Sequence, residues 1–78
     1  MNIETKTYET SDLYLSAFLK VRGLRLLNQR RAGNKIIFIF ADCSDRAEIV
    51  SEYFNNGQVG VTNYRSALAD LKTLIFSA

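Results

Sequence analysis

The sequence has 78 residues, a formal net charge of +2 and a hydrophobic share of 47%, so it predicts a single domain over residues 1–78 with a packed core. The lone Cys43 excludes an intramolecular disulfide and a Cys-rich zinc site, because each needs at least a second cysteine. The chain contains no His, the commonest general base and metal ligand at neutral pH, so we expect a non-enzymatic protein without cofactor or metal.

The N-terminal part of the chain predicts a weak strand followed by a helix. Residues 2–10 alternate in a weak strand pattern, and residues 1–7 belong either to this strand or to a flexible end. Thr10 or Ser11 is expected to cap a helix over residues 13–22, which Gly23 ends. Apolar residues cover more of this helix than one packing surface requires. The helix is therefore either sandwiched centrally in the domain or partly buried by a second subunit.

A β-hairpin follows, with strands over residues 24–32 and 35–41 and a type II′ turn at Gly33 and Asn34. This turn predicts three cross-strand pairs: Arg31 with Ile36, Gln29 with Phe38, and Leu27 with Phe40. The second strand is apolar on both faces, so both faces need cover.

Two further helices complete the predicted fold. One starts near Asp42 or Ser44, ends at residues 55–57, and has an inner face of Ala47, Ile49, Val50, Tyr53 and Phe54. Residues 58–61 form a minor strand, and Thr62 caps the last helix, whose apolar face is Tyr64, Ala67, Leu68, Leu71, Leu74 and Ile75. The order (β)αββα(β)α predicts a small two-layer α+β domain, in which helices pack on one face of a short antiparallel sheet.

The charges are unevenly distributed along the chain. Residues 20–35 contain six basic residues and no acid, whereas the flanking segments are net negative. The six are Lys20, Arg22, Arg25, Arg30, Arg31 and Lys35. A slim hairpin with arginines on both sides fits a nucleic-acid groove or a phosphate backbone, so these six residues are our candidate nucleic-acid site. An acidic protein partner, or simple solvation of a charged hairpin, explains the same pattern.

Several segments resemble a known group of sequences. The stretch YETSDLYLSAFLK at residues 8–20 is similar to the opening of a family of short uncharacterised prokaryotic and phage-associated domains, which begin Tyr-x-Thr-Ser-Asp-Leu-Tyr-Leu-x-Ala-Phe-Leu. The similarity continues through residues 36–42, 51–57 and 71–76. The resemblance implies a small free-standing domain of bacterial or mobile-element origin, and it implies no activity, ligand or catalytic residue.

Two functional hypotheses follow, together with a prediction about assembly. The first is a non-enzymatic domain that binds nucleic-acid phosphates, and the second is a protein interaction module, such as a small inhibitor or regulatory partner. The surplus apolar surface of the first helix predicts a homodimer through Leu15 and Leu19. The longest apolar run has six residues and the N-terminus lacks an apolar signal core, so we expect a cytoplasmic protein with no membrane contact.

Overall fold

The computed structural model of the protein describes residues 6–77, which form a three-stranded antiparallel sheet and three helices. The elements in chain order are β1 (Thr7–Thr10), α1 (Leu13–Val21), β2 (Leu26–Ala32), β3 (Lys35–Ala41), α2 (Arg46–Phe54) and α3 (Val61–Ser77). The predicted α+β class is confirmed. β1 also confirms part of the N-terminal strand, whereas residues 1–5 of that prediction lie outside the described residues.

The central strand of the sheet is β3, which pairs with β1 on one side and with β2 on the other. Its alternate side chains Ile36, Phe38 and Phe40 are buried and point toward the helices. Ile37 and Ile39 point to the opposite face and are only half-buried, so the helices cover one face of the sheet. Of the two faces of this strand that were expected to need cover, the helices cover the one that carries Ile36, Phe38 and Phe40.

The predicted hairpin is confirmed, with one change of register. Gly33 takes the left-handed φ of 63° that the first central position of a type II′ turn requires. Arg31 lies opposite Ile36 and Gln29 lies opposite Phe38, as predicted. A bulge between Leu26 and Asn28 then places Leu26, instead of Leu27, opposite Phe40.

Local hydrogen bonds define both ends of α1. The N-cap is Asp12, whose carboxylate accepts the Leu15 N–H at 3.0 Å, and Thr10 and Ser11 do not have this role. At the other end Gly23 has a φ of 100° and donates its N–H to Lys20, while the N–H of Leu24 bonds to the carbonyl of Leu19. These two bonds form a Schellman motif, which turns the chain toward β2 and buries Leu24.

The helix α1 is the centre of the core and contacts α3, α2 and β1. Leu15 is 3% exposed and Leu19 is fully buried, because the other elements of the same chain cover the face that carries them. The central position that the sequence offered as one alternative is therefore confirmed, and the choice of Leu15 and Leu19 as a dimer interface is wrong. Self-association through other residues stays a prediction.

The remaining helices agree with prediction to different extents. The apolar face of α3 is confirmed, with Ala67 and Leu71 buried and its other members half-buried. However, α2 begins at Arg46 with Asp45 at its N-cap, and not at Asp42 or Ser44 as predicted. The Asp42 carboxylate instead accepts a hydrogen bond from the Arg46 side chain. Ile49 is buried, but the predicted inner residues Ala47 and Phe54 are exposed.

The segment between α2 and α3 was predicted to contain a minor strand at residues 58–61, and this prediction is wrong. The helix α3 already starts at Val61, and the carbonyl of Gly60 accepts the N–H of Tyr64 at 2.9 Å. Thr62 therefore lies within the first turn of α3 and does not cap it.

Candidate nucleic-acid interface

The tip of the β2–β3 hairpin extends beyond the third strand. Pairing between β1 and β3 ends at Thr10 opposite Phe38, whereas β2 continues to pair with β3 up to Ala32 opposite Lys35. The residues on both strands nearest the turn therefore form a two-stranded ribbon. Except for Ile36 and Ile37, the residues 30–37 of this ribbon are exposed.

Three of the six predicted basic residues, Arg30, Arg31 and Lys35, lie together on this tip. All three are exposed, and residues 28–37 contain no acid. Arg31 shares the face of Ile36, while Arg30 and Lys35 lie on the other face of the ribbon, since successive residues of a strand alternate sides. The tip therefore presents cations on both faces, as the sequence predicted.

One of these cations is held by a carboxylate of another strand. Nη2 of Arg30 lies 2.5 Å from Oε1 of Glu9, so the pair spans β3 above Ile37 and Ile39. Both side chains are substantially exposed. An exposed ion pair of this kind contributes only about 0–1 kcal/mol, so a phosphate group can compete with Glu9 for the guanidinium.

Lys20 and Arg22 do not belong to this surface. Nζ of Lys20 lies 3.8 Å from Oδ2 of Asp70 on α3, and Nη1 of Arg22 lies 2.5 Å from Oε2 of Glu52 on α2. The guanidinium of Arg22 also lies over the ring of Phe18, at 5.8 Å from its centroid. Both residues join the helices to one another, and their charges are matched by acids that are distant in sequence.

Arg25 lies at the base of the hairpin, separated from Arg30 by roughly 16 Å of extended strand. It is exposed, and its carbonyl accepts the N–H of Ala41 at 2.9 Å. The bulge at Leu27 reverses the alternation of sides along the strand, so Arg25 and Arg31 lie on opposite faces of the hairpin. The six basic residues therefore lie in three separate places: the hairpin tip, the base of the hairpin and the C-terminal end of α1.

A surface groove that the sequence did not predict lies around the loop between α2 and α3. Its volume is about 480 Å³, and its lining comprises Phe18, Tyr53, Asn56, Gly57, Gln58, Val59, Val61, Tyr64 and Arg65. Burial raises the pKa of the phenols of Tyr53 and Tyr64. Both tyrosines were predicted on core-facing positions of their helices, and both do pack against the core, while they also line the groove.

A further charged cluster lies between the end of β3 and the start of α2. Nε of Arg46 donates to Oδ1 of Asp42 at 3.1 Å, and the guanidinium lies 4.5 Å from the ring centroid of Tyr8. The hydrogen bond from Arg46 lowers the pKa of the Asp42 carboxyl below its ordinary value. This cluster joins β1 to the start of α2.

Comparison with known proteins supplies the family. The sequence matches a domain family described as a domain of unknown function, DUF5659, over residues 5–77. The chain belongs to the DUF5659 family. A search of curated proteins and a search of solved structures found no significant match.

Two further properties of this DUF5659 domain concern sites that it could hold. Among residues 6–77, no group of three or more acidic or Cys side chains is placed to bind a metal ion. No helix in the same part of the chain is long and apolar enough to cross a membrane.

Proposed function

We propose that this domain binds nucleic acid through the tip of the β2–β3 hairpin. The observation that carries the proposal is the projection of the tip beyond β1, with Arg30, Arg31 and Lys35 exposed and no acid in the ribbon itself. Cations on a slim projection approach phosphates closely without bringing the two glutamates of α2, Glu48 and Glu52, near them. This supports phosphate binding over solvation alone.

The mechanism is charge neutralisation along the phosphate backbone. A two-stranded ribbon is narrow enough for the major groove of DNA, where side chains on its two faces point toward opposite walls. Arg31 and Lys35 lie on opposite faces and therefore suit contacts with different strands. Such contacts position the protein without reading sequence, so we expect sequence-tolerant binding.

The structure narrows the set of residues that we assign to binding. Lys20 and Arg22 lie at the C-terminal end of α1, away from the hairpin tip, and Arg25 is at the other end of the hairpin. We therefore assign direct phosphate contacts to the three tip residues, with Arg25 adding only to the surrounding field.

A salt-dependent titration tests this function. The probes are a mixed-sequence DNA duplex and a single-stranded RNA, with fluorescence anisotropy measured at about 50 and 200 mM salt. Two or three phosphate contacts should weaken duplex binding by roughly 10- to 40-fold over this range, since each contact releases about 0.9 counterions. Failure to bind either probe at low salt would contradict the proposal.

Matched variants locate the contacts. The single change Lys35→Gln should reduce both the affinity and its salt dependence. Lys72→Gln removes a charge from the exposed surface of α3, away from the hairpin, and should change neither by a comparable amount. If Lys72→Gln has an equal effect, the binding depends on total charge, and the hairpin has no special role.

An acidic protein partner is the alternative for the same cations. Pull-down from a nuclease-treated lysate separates the two, because a protein partner survives digestion of nucleic acid. The cytoplasmic location, the prokaryotic or phage association and self-association stay predictions alongside this function.

A further inference from the structure

We infer that the groove around the α2–α3 loop is a docking site for an acidic peptide segment that inserts an apolar side chain. This goes beyond the nucleic-acid function, because the groove shares no residue with the hairpin tip. Three observations carry the inference: a pre-formed floor, apolar walls with an exposed rim, and a single cationic group.

The floor of the groove is held in place by the end of α2. Asn56 has a left-handed φ of 61°, and the N–H of the next residue, Gly57, bonds to the carbonyl of Glu52 at 2.6 Å. A Cβ at Gly57 would lie 2.7 Å from the Glu52 carbonyl oxygen and 2.9 Å from Cζ of Phe18. The loop therefore packs directly on Phe18, so the groove does not need to form when a partner binds.

The walls are aromatic and aliphatic. The hydroxyl of Tyr64 donates to the carbonyl of Tyr14 at 3.0 Å, which fixes one wall, and the ring of Tyr53 packs edge-on against Phe18 at 5.5 Å. Val61 lies at the mouth and is 75% exposed. Apolar residues left in water beside a concave surface are typical of binding sites.

Charge complementarity indicates the chemistry of the occupant. Arg65 is the only charged residue in the lining, and no carboxylate among residues 6–77 forms an ion pair with it. It is exposed on the first turns of α3, beside the apolar walls. A partner that places a carboxylate near Arg65 gains an ion pair, whereas a basic partner is repelled.

The shape favours a peptide over a compact small molecule. The groove is open to solvent, and Tyr53 in its lining contacts Phe54, which lies outside the lining and is 67% exposed. The ring of Phe54 packs edge-on against Tyr53, with 5.0 Å between centroids. An extended segment can fill the groove with one side chain and cover Phe54 with a neighbouring residue.

Labelled synthetic peptides test the inference. The probes have a central Phe, Leu or Ser flanked either by Asp and Glu or by Lys, and binding is followed by anisotropy and by amide NMR spectra. We expect the acidic Phe and Leu peptides to bind and to shift amides of residues 56–65. The Ser-centred peptides and the Lys-flanked peptides should not bind.

Charge-matched variants give the decisive comparison. Arg65→Glu should weaken the acidic peptides roughly tenfold, as expected for reversing a charge at a contact. Lys72→Glu makes the same change in net charge on α3 outside the groove and should leave binding nearly unchanged. Both residues are exposed, so both variants should keep the wild-type NMR dispersion.

The result that overturns the inference is equally specific. Shifts absent with every peptide, shifts confined to other residues, or equal weakening by Arg65→Glu and Lys72→Glu would each contradict it. Groove shifts produced by single-stranded RNA in place of peptides would assign the site to nucleic acid instead. Loss of nucleic-acid binding by the hairpin variants leaves this test unaffected, because those variants do not change the groove.

Discussion

Arg30 on β2 and Glu9 on β1 form an ion pair across the intervening strand, with Nη2 and Oε1 2.5 Å apart. The two residues belong to strands at opposite edges of the sheet, and the pair joins these strands across the face of β3 that carries Ile37 and Ile39. This face is opposite to the one on which the helices pack, and its Ile37 and Ile39 are half-buried. The pair also reduces the charge of the hairpin tip, so it opposes the phosphate binding that we propose.

The first prediction concerns Glu9→Gln. Removing the carboxylate frees the Arg30 guanidinium for phosphate, so the affinity for duplex DNA at low salt should rise about 2- to 5-fold. A rise of this size corresponds to the loss of an exposed ion pair that contributes less than about 1 kcal/mol. Anisotropy titration measures the change. Glu48→Gln is the control, since it removes the same charge from the exposed surface of α2. An equal gain with Glu48→Gln would show that only net charge matters.

The second prediction concerns Gly57→Ala. The added methyl group would meet the Glu52 carbonyl oxygen at 2.7 Å and Phe18 at 2.9 Å, so the loop must move. We expect a loss of about 1–3 kcal/mol in the free energy of unfolding, measured by urea denaturation. Gly60→Ala is the comparison, because its methyl group would meet only the Asn63 side chain, at 3.1 Å. A smaller loss of stability for Gly57→Ala than for Gly60→Ala would contradict the close packing of Gly57 against Glu52 and Phe18.

The third prediction concerns the central helix. Leu15→Glu and Leu19→Glu together should abolish folding, because both side chains are buried and an unpaired carboxylate cannot be accommodated there. Leu19→Ala alone should cost about 2–5 kcal/mol of stability. Phe54→Ser, at an exposed position, should change stability little. Circular dichroism during urea titration tests all three, and a folded double Glu variant would contradict the assigned core.

The fourth prediction concerns Asp42 and pH. The hydrogen bond from Arg46 lowers the pKa of Asp42 below 3.8, its ordinary value. A carboxyl whose pKa is lowered on folding contributes stability above its unfolded pKa, and this contribution is lost as the pH falls through the folded pKa. NMR titration of the Asp42 carboxyl carbon should show that the pKa of Asp42 lies below its ordinary value.

Two Arg46 variants identify the cause of this pKa. Arg46→Gln should return the Asp42 pKa toward 3.8, because the charge and the Nε donor are both lost. Arg46→Lys keeps the positive charge and should preserve only part of the lowering of the Asp42 pKa, since the hydrogen bond from Arg46 is the leading cause of that lowering. An unshifted Asp42 in the wild-type protein would contradict the contact.

Local patterns in the sequence predicted the parts of the fold that depend on neighbouring residues. The turn at Gly33 and Asn34 set the register near the tip, and the spacing of apolar residues identified the buried face of α3. The bulge at Leu27 was not predictable, because nothing in the alternation of that strand indicates an extra residue. The short helix α2 gave too few turns to distinguish Phe54 from its inner residues.

The candidate sites likewise combine features that the local sequence predicts with features that depend on the tertiary structure. A run of basic residues in the sequence suggested one surface, but the turn at Gly23 sends Arg22 toward Glu52 and directs the hairpin away from it. Pairing with distant acids is a property of the tertiary structure and leaves no local signal. The groove is likewise built from α1, α2 and α3, and its residues have ordinary roles when each helix is considered alone.

The strand order β1-β3-β2 has a consequence for how the chain folds. The hairpin closes around Gly33 through pairs that are near in sequence, whereas Thr7 must find Ala41 across the whole of α1 and the hairpin. Short closures lose less chain entropy and form sooner, so we expect the hairpin to precede the docking of β1. Mutations in the hairpin should then slow folding, and mutations in β1 should mainly speed unfolding. We therefore expect the ribbon at the hairpin tip, to which we assign the proposed phosphate contacts, to be among the first parts of the domain to become ordered.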